Sequence, residues 1–138
     1  MKNYLDNFNL SKKTVFIVGS NGLIGTEIVK SCLDAGAKII CFDIKKNQNL
    51  KNNKKIFYEK LNIENLDRID IFFNKIIKKY GPPNCFVNAS YPKTKDWSKN
   101  SYKKISLESF KKNTLIHMNS YIWIAKIIAD SMLKNKIN

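Results

Sequence analysis

Histidine occurs once in this chain (His117) and arginine once (Arg68), and the three cysteines (Cys32, Cys41, Cys85) contain no C-x-x-C pair. The cysteines lie far apart in strand or helix patterns, so they read as small buried hydrophobes in a reducing, cytoplasmic setting, and no metal site is expected. No apolar run approaches the length of a membrane span. Residues 1–13 contain Asp6 and several Asn but no apolar block, so no signal peptide is expected either. Acidic residues are scarce, 11 against 25 basic ones, and the resulting charge of +14 invites a nucleic-acid partner. The basic residues are nearly all Lys, however, and are spread through loops and helix faces beside abundant Asn and Ile. All three residue types have A/T-rich codons, which explains the excess without a ligand. Base readout and stacking favour Arg and clustered aromatics, so neither a nucleic-acid nor a membrane partner is expected. The densest basic run, Lys45 to Lys55, mixes Asn and Gln and reads as a solvated loop. With 43% apolar residues, the 138-residue chain reads as one globular domain, long enough to bury a core.

Glycine is also rare, at five residues, yet three of the five fall within one stretch, Val15 to Gly25. Thr14 to Val18 is a β-branched and aromatic run that predicts a buried parallel strand. It breaks at Gly19. From Gly22 an amphipathic pattern begins, with Leu23, Ile24, Ile28, Val29, Cys32 and Leu33 at helical spacing and Gly36 as C-terminal cap. Strand, turn and helix N-terminus together form an anion site, where backbone N–H groups and the positive dipole end meet a pyrophosphate. Gly19 serves the tight turn, Gly22 a close ligand approach and Gly25 the packing of helix on strand, with Ser20, Asn21, Leu23 and Ile24 completing the loop. A second strand, Lys38 to Phe42, ends in Asp43, about 24 residues after Gly19. A dinucleotide fold places there the carboxylate that accepts from the adenosine ribose, with Ile44 beside it. Asp43 would repel a 2′-phosphate, so NAD is expected over NADP, although Lys45 and Lys46 follow closely. The bland alternative is a tight turn with a solvated Asp at a strand end. Thr26, standing where a phosphate-binding loop of a triphosphatase needs Lys, argues against that class.

Along the chain, residues 1–13 form a polar lead-in and 14–138 the binding domain. Ile56 to Leu61 predict a third strand, followed by Asn62 and Ile63. Asn65 or Glu64 opens a helix whose stripe is Leu66, Ile69, Phe72, Phe73, Ile76 and Ile77, stopped at Tyr80-Gly81-Pro82-Pro83. Cys85 to Asn88 form a fourth strand and residues 89–105 a polar loop. Ser106 caps a last helix reaching about Lys134, with Phe110, Leu115, Met118, Ile122, Ala125, Ile128 and Met132 as its apolar face. This alternation predicts an α/β fold of the Rossmann type, a doubly wound parallel sheet in the order 3-2-1-4 with flanking helices. Gly19, Asp43 and Asn88 then lie at the strands' carboxyl ends, at the switch point where such sheets bind ligands.

From about Ser11 to the last helix, the chain resembles the short-chain dehydrogenase/reductase family of oxidoreductases. The spacing Gly19-x-x-Gly22-x-x-Gly25 is closer to its epimerase-type and divergent members than to its commonest pattern. The resemblance implies an adenine contact at Asn62-Ile63, where the family carries an acid, and a cofactor-lining segment at Asn88-Ala89-Ser90. There Ser90 and Tyr91 replace the family's small pair, so Tyr91 reshapes the substrate side. Asn88 to Lys93 is similar to members linked to bacterial surface-sugar biosynthesis. Seven residues after Phe110, His117 stands where the family often carries an Asn that holds a proton-relay water. A relay is one reading of His117; a helix histidine bonded to backbone or water is the other.

The family's chemistry also requires a Tyr-x-x-x-Lys pair one helical turn apart and a Ser on a fifth strand. The sheet as read ends before that strand. The single matching string, Tyr91 to Lys95, contains Pro92 and follows the fourth strand, so no helix is expected to stack its side chains. Two functions follow: the dinucleotide-binding half of an NAD-dependent oxidoreductase, not catalytic alone, or a non-catalytic module binding a dinucleotide or a partner. The open side of the fourth strand, and a last helix apolar on more than one face, predict a homodimer or a complementing C-terminal fragment.

Overall fold

A computed structural model describes residues 8–46 and 53–137. Of the polar lead-in, residues 1–7 lie outside the described residues, as do residues 47–52 of the Lys/Asn loop and residue 138. Four strands form one parallel sheet: β1 (Thr14–Val18), β2 (Lys38–Asp43), β3 (Ile56–Lys60) and β4 (Cys85–Asn88), in the spatial order β3-β2-β1-β4. Val18 is level with Phe42 on one side and with Asn88 on the other, which brings the carboxyl ends of the three strands together.

Strand alternation divides the core in two. Phe16, Val18, Ile40 and Phe42 point to one face and pack with Ile69, Phe73 and Ile76 of α2 (Ile69–Tyr80) and Ile124 and Ile128 of α3 (Leu107–Lys134). Val15, Ile17, Ile39 and Cys41 point to the other and meet Val29 of α1 (Leu23–Asp34). Each buried Phe, Ile or Val contributes about 1.5–3 kcal/mol to holding these layers together. Phe42 anchors the first face, edge-on to Phe16, Phe72 and Phe73 with ring centroids 5.3–5.9 Å away. Gly36, at φ +95°, closes α1: its N–H reaches the Leu33 carbonyl, and that of Ala37 reaches Cys32. Gly81, at φ +84°, ends α2 ahead of the proline pair. Leu10 ties the lead-in to this frame by donating its N–H to the Ala35 carbonyl.

Four details differ from the expectation. Residues 66–68 form a 3-10 turn, so α2 proper begins at Ile69, because the Asn62 Oδ1 accepts the Glu64 N–H and holds the chain in a turn first. Leu23 and Ile24 are exposed, at 91% and 69%, because the first turn of α1 presses backbone to backbone through Gly25 and turns its neighbours outward. Cys85 is exposed, since β4 is an edge strand among the described residues; Cys41 is buried and Cys32 half-buried. The inward face of α3 is also rotated. Ser109, Asn113, Ser120, Ile124 and Ile128 are buried, whereas Phe110, Leu115, Met118, Ile122 and Ala125 face out. Only Ile128 and the half-buried Met132 of the expected face meet the core. The first half of α3 lies against the polar loop rather than the sheet, and small hydrogen-bonding side chains suit that contact better than apolar ones.

Candidate functional site

The glycine turn is held by main-chain bonds that its neighbours supply. Gly19, at φ +74°, donates its N–H to the Phe42 carbonyl at 2.9 Å, and Ser20 does so at 3.3 Å. Asn21 donates its N–H to Asp43 Oδ2 at 2.9 Å. With those donors engaged, the N–H groups of Leu23, Ile24 and Gly25, which have no intrahelical acceptor, are the ones an anion can use. Gly22 precedes them as N-cap, with no side-chain cap bond.

A β-carbon tests each glycine. On Gly19 it would lie 2.4 Å from the Ser90 nitrogen, and on Gly25 only 2.0 Å from the Gly19 oxygen. Gly25 therefore serves the packing of α1 on the turn itself rather than on the strand. On Gly22 a β-carbon meets nothing nearer than the Gly19 oxygen at 3.4 Å, so its exposed side is open for a ligand.

Asp43 sits half-buried at the end of β2, its second oxygen accepting the Lys45 N–H at 3.3 Å. Ile44 is exposed beside it. Asn62 is exposed and spends its Oδ1 on Glu64, while the Ile63 side chain is buried in the core, so only its main chain is left for a ligand. At the end of β4, Ala89 donates its N–H to the Val18 carbonyl at 2.8 Å, and Asn88 Oδ1 accepts both the N–H and the hydroxyl of Ser90. Those two acceptor bonds fix the amide's orientation and leave Asn88 Nδ2 buried with no partner among the described residues. A buried donor without a partner costs about 1–3 kcal/mol. The structure thus gathers Gly19 to Gly25, Asp43 and Asn88 to Ser90 at one end of the sheet, with Asn62 and Ile63 one strand further out.

His117 is on the loop-facing side of α3. Its Nε2 is hydrogen-bonded to the Pro92 carbonyl, and its ring stacks on Tyr121 and meets the edge of Tyr91. The string Tyr91 to Lys95 is not helical. Behind the turn, burial pushes the Cys41 thiol up to about 11 and the Tyr58 phenol up to about 12, so both are neutral packing groups at ordinary pH.

A family profile described as short chain dehydrogenase matches residues 13–137. The chain belongs to the short-chain dehydrogenase family. It is 29% identical over 121 residues to post-translational flagellin modification protein A of Campylobacter coli, covering 82% of this chain and 47% of that protein. Its fold is similar to that of a short-chain dehydrogenase from Leptospira borgpetersenii solved with bound NAD+ (TM-score 0.80, 20% identity, 99% of this chain and 52% of that one). It also resembles 2-keto-3-deoxy-D-gluconate dehydrogenase of Streptococcus agalactiae (TM-score 0.74, 22% identity, 98% and 52%). The chain spans about half the length of these relatives. Among the described residues no helix is long and apolar enough to cross a membrane.

Within this short-chain dehydrogenase fold, sequence reasoning missed the polar network that seats the loop after β4. Buried Asn113 donates to the Thr94 hydroxyl at 2.8 Å and accepts the Thr94 N–H at 3.0 Å. Asn100 links Ser109 to the Asp96 carboxylate, and hydrogen bonds from Thr94, Ser109 and Asn100 hold that carboxyl well below the usual range. Tyr121 donates its hydroxyl to the Ser90 carbonyl. A signal was present: Ser109, Asn113, His117 and Ser120 recur at i, i+4, i+8 and i+11, a polar stripe on one side of an otherwise apolar helix.

Proposed function

We propose that this chain is the cofactor-binding half of a nicotinamide-dependent oxidoreductase and that it binds NAD in preference to NADP. One observation carries the reading: the Asp43 carboxylate, held by the Asn21 N–H at 2.9 Å, stands at the lip of a glycine turn whose Gly22 face is open. In this reading the N–H groups of residues 23–25 meet the pyrophosphate, and Gly19, Ser20, Asn21 and Gly22 shape the turn. Asp43 accepts from the adenosine ribose, with Ile44 beside it. Asn62 and Ile63 border the adenine, and Asn88, Ala89 and Ser90 line the nicotinamide side. When bound, the nicotinamide supplies or accepts the hydride.

The Tyr91 to Lys95 string lies in irregular chain, so it provides no stacked Tyr/Lys pair for the proton. We therefore expect no turnover from these residues alone. The same geometry favours the non-catalytic binding module as the second reading. The three free thiols fit a cytoplasmic setting. Similarity to a flagellin modification protein supports a link to bacterial surface-sugar chemistry.

Titrating NADH and NADPH into the wild type and Asp43→Ala tests the reading. We expect NADH to bind at least tenfold more tightly to the wild type, and the substitution to narrow that gap. Tighter NADPH binding by the wild type, or no binding of either, refutes it.

A further inference from the structure

The segment after β4 is clamped to α3 with a simple periodicity. Ser90, Pro92 and Thr94 are each held through the main chain, by Tyr121, His117 and Asn113 respectively, and Thr94 also through its hydroxyl. Alternate residues of an extended chain are about 6.6 Å apart, and residues four apart on a helix are about 6 Å apart. An extended segment running antiparallel to α3 therefore meets one helix side chain per turn. The intervening residues, Tyr91, Lys93 and Lys95, are exposed, while Ser90, Pro92 and Thr94 are half-buried. The Tyr91 ring rests edge-on against His117, with centroids 4.8 Å apart, and lies 6.2 Å from Trp97, yet it remains 60% exposed. The row starts next to the glycine turn, because the Ser90 backbone is what a side chain on Gly19 would strike.

We propose that residues 90–97 are a preorganised substrate lip that takes a sugar ring bearing an anionic group, the ring stacking on Tyr91 and the charge meeting Lys93 and Lys95. This rests on the reading that a dinucleotide occupies the adjoining turn. An exposed aromatic face attracts the polarised C–H groups of a sugar ring, and its negative quadrupole gives that contact a fixed geometry. Lys93, two residues on, and Lys95, at the turn that follows, are both exposed and offer ammonium groups to a carboxylate or phosphate on the same ring. Tyr121, His117 and Asn113 act as positioning residues: they hold the lip and do not touch the substrate.

The chain has two tryptophans, so Trp123→Phe leaves Trp97, beside Tyr91, as the sole indole reporter. In that background, saturated with NAD+, the indole emission is followed during titration with D-glucuronate, glucose 6-phosphate, D-glucose and inorganic phosphate. We expect a saturable change with glucuronate or glucose 6-phosphate, at least tenfold weaker with glucose and with phosphate. Tyr91→Ala should weaken it at least tenfold, and Lys93→Gln/Lys95→Gln should erase the advantage of the charged sugar. Tyr121→Phe should weaken it severalfold while circular dichroism stays unchanged. NAD+ affinity is measured separately by calorimetry in each variant. If NAD+ does not bind, the cofactor reading fails. If NAD+ binds, then silence toward all sugars, a phosphate response equal to that of the sugars, or an unaffected Tyr91→Ala overturns the lip.

Discussion

Alanine at Gly22 and alanine at Gly25 should have opposite consequences, although the two glycines are three residues apart in one motif. At Gly22 the backbone is at φ −71° and ψ 170°, open to any residue, and a β-carbon meets only the Gly19 oxygen at 3.4 Å. Gly22→Ala should therefore leave stability within about 0.5 kcal/mol, as surface substitutions do. It should nevertheless weaken dinucleotide binding tenfold or more, about 1.4 kcal/mol, because the methyl group fills the side open to the ligand. At Gly25 the β-carbon would stand 2.0 Å from the Gly19 oxygen and 2.9 Å from its carbonyl carbon, both main-chain atoms that cannot swing aside. Forced overpacking costs about 1–3 kcal/mol and more where the obstacle is rigid. The gain of about 1 kcal/mol in helix propensity offsets only part of it. Gly25→Ala should thus lose about 2 kcal/mol or more from a domain whose whole stability is about 5–15 kcal/mol. Urea denaturation gives the stability, and NADH fluorescence gives the affinity. A Gly22→Ala protein that is stable and binds as the wild type does, or a Gly25→Ala protein of unchanged stability, would refute the steric reasoning.

Gly19→Val should fail to bind as well, but by unfolding the turn, since its side chain would strike the Ser90 backbone in a φ +74° conformation; normal urea stability would contradict this. Glu59 should shape the acid limb of stability. Burial works to raise its carboxyl, but hydrogen bonds from Lys79 and Tyr80 outweigh burial and hold it below the ordinary carboxylate value. That contribution is fully present above the unfolded pKa of about 4.3 and is lost as pH falls through the lowered folded value. Glu59→Gln should flatten the dependence by up to about 1 kcal/mol, read from urea midpoints between pH 6 and 3, and an unchanged acid limb refutes the assignment. Exposed Cys85 should react with a maleimide in the native protein, whereas Cys41, buried with its thiol pushed up to about 11, should react only on unfolding; mass spectrometry of timed samples decides this. The side of β4 left open among the described residues and the exposed Phe110, Leu115 and Ile122 should drive self-association at about tens of micromolar, and a monodisperse monomer on size exclusion would overturn that expectation.

Sequence alone determined the sheet. Thr14–Val18 and Lys38–Asp43 are apolar runs too short for helices, bounded by glycine and charge, and strands buried on both faces require such runs. The helix between them and its Gly36 cap follow from local chemistry, because capping and turn conformations are properties of a few adjacent residues. The crossover rule then fixes which face each connection crosses, and the doubly wound pattern of dinucleotide-binding sheets supplies the strand order. The inward face of α3 was not legible in the same way. Its apolar residues lie on several sides, and which side turns inward depends on what each half of the helix touches. The first half meets a polar loop, so Ser109 and Asn113 are buried; only the second half meets the sheet, through Ile124 and Ile128. Cys85 looks like a buried strand residue until the sheet order places it on an edge. The pairing of Tyr121, His117 and Asn113 with residues 90, 92 and 94 is likewise tertiary. It arises because an extended segment and a helix have nearly matching repeats, and that match acts only once the fold has laid one against the other.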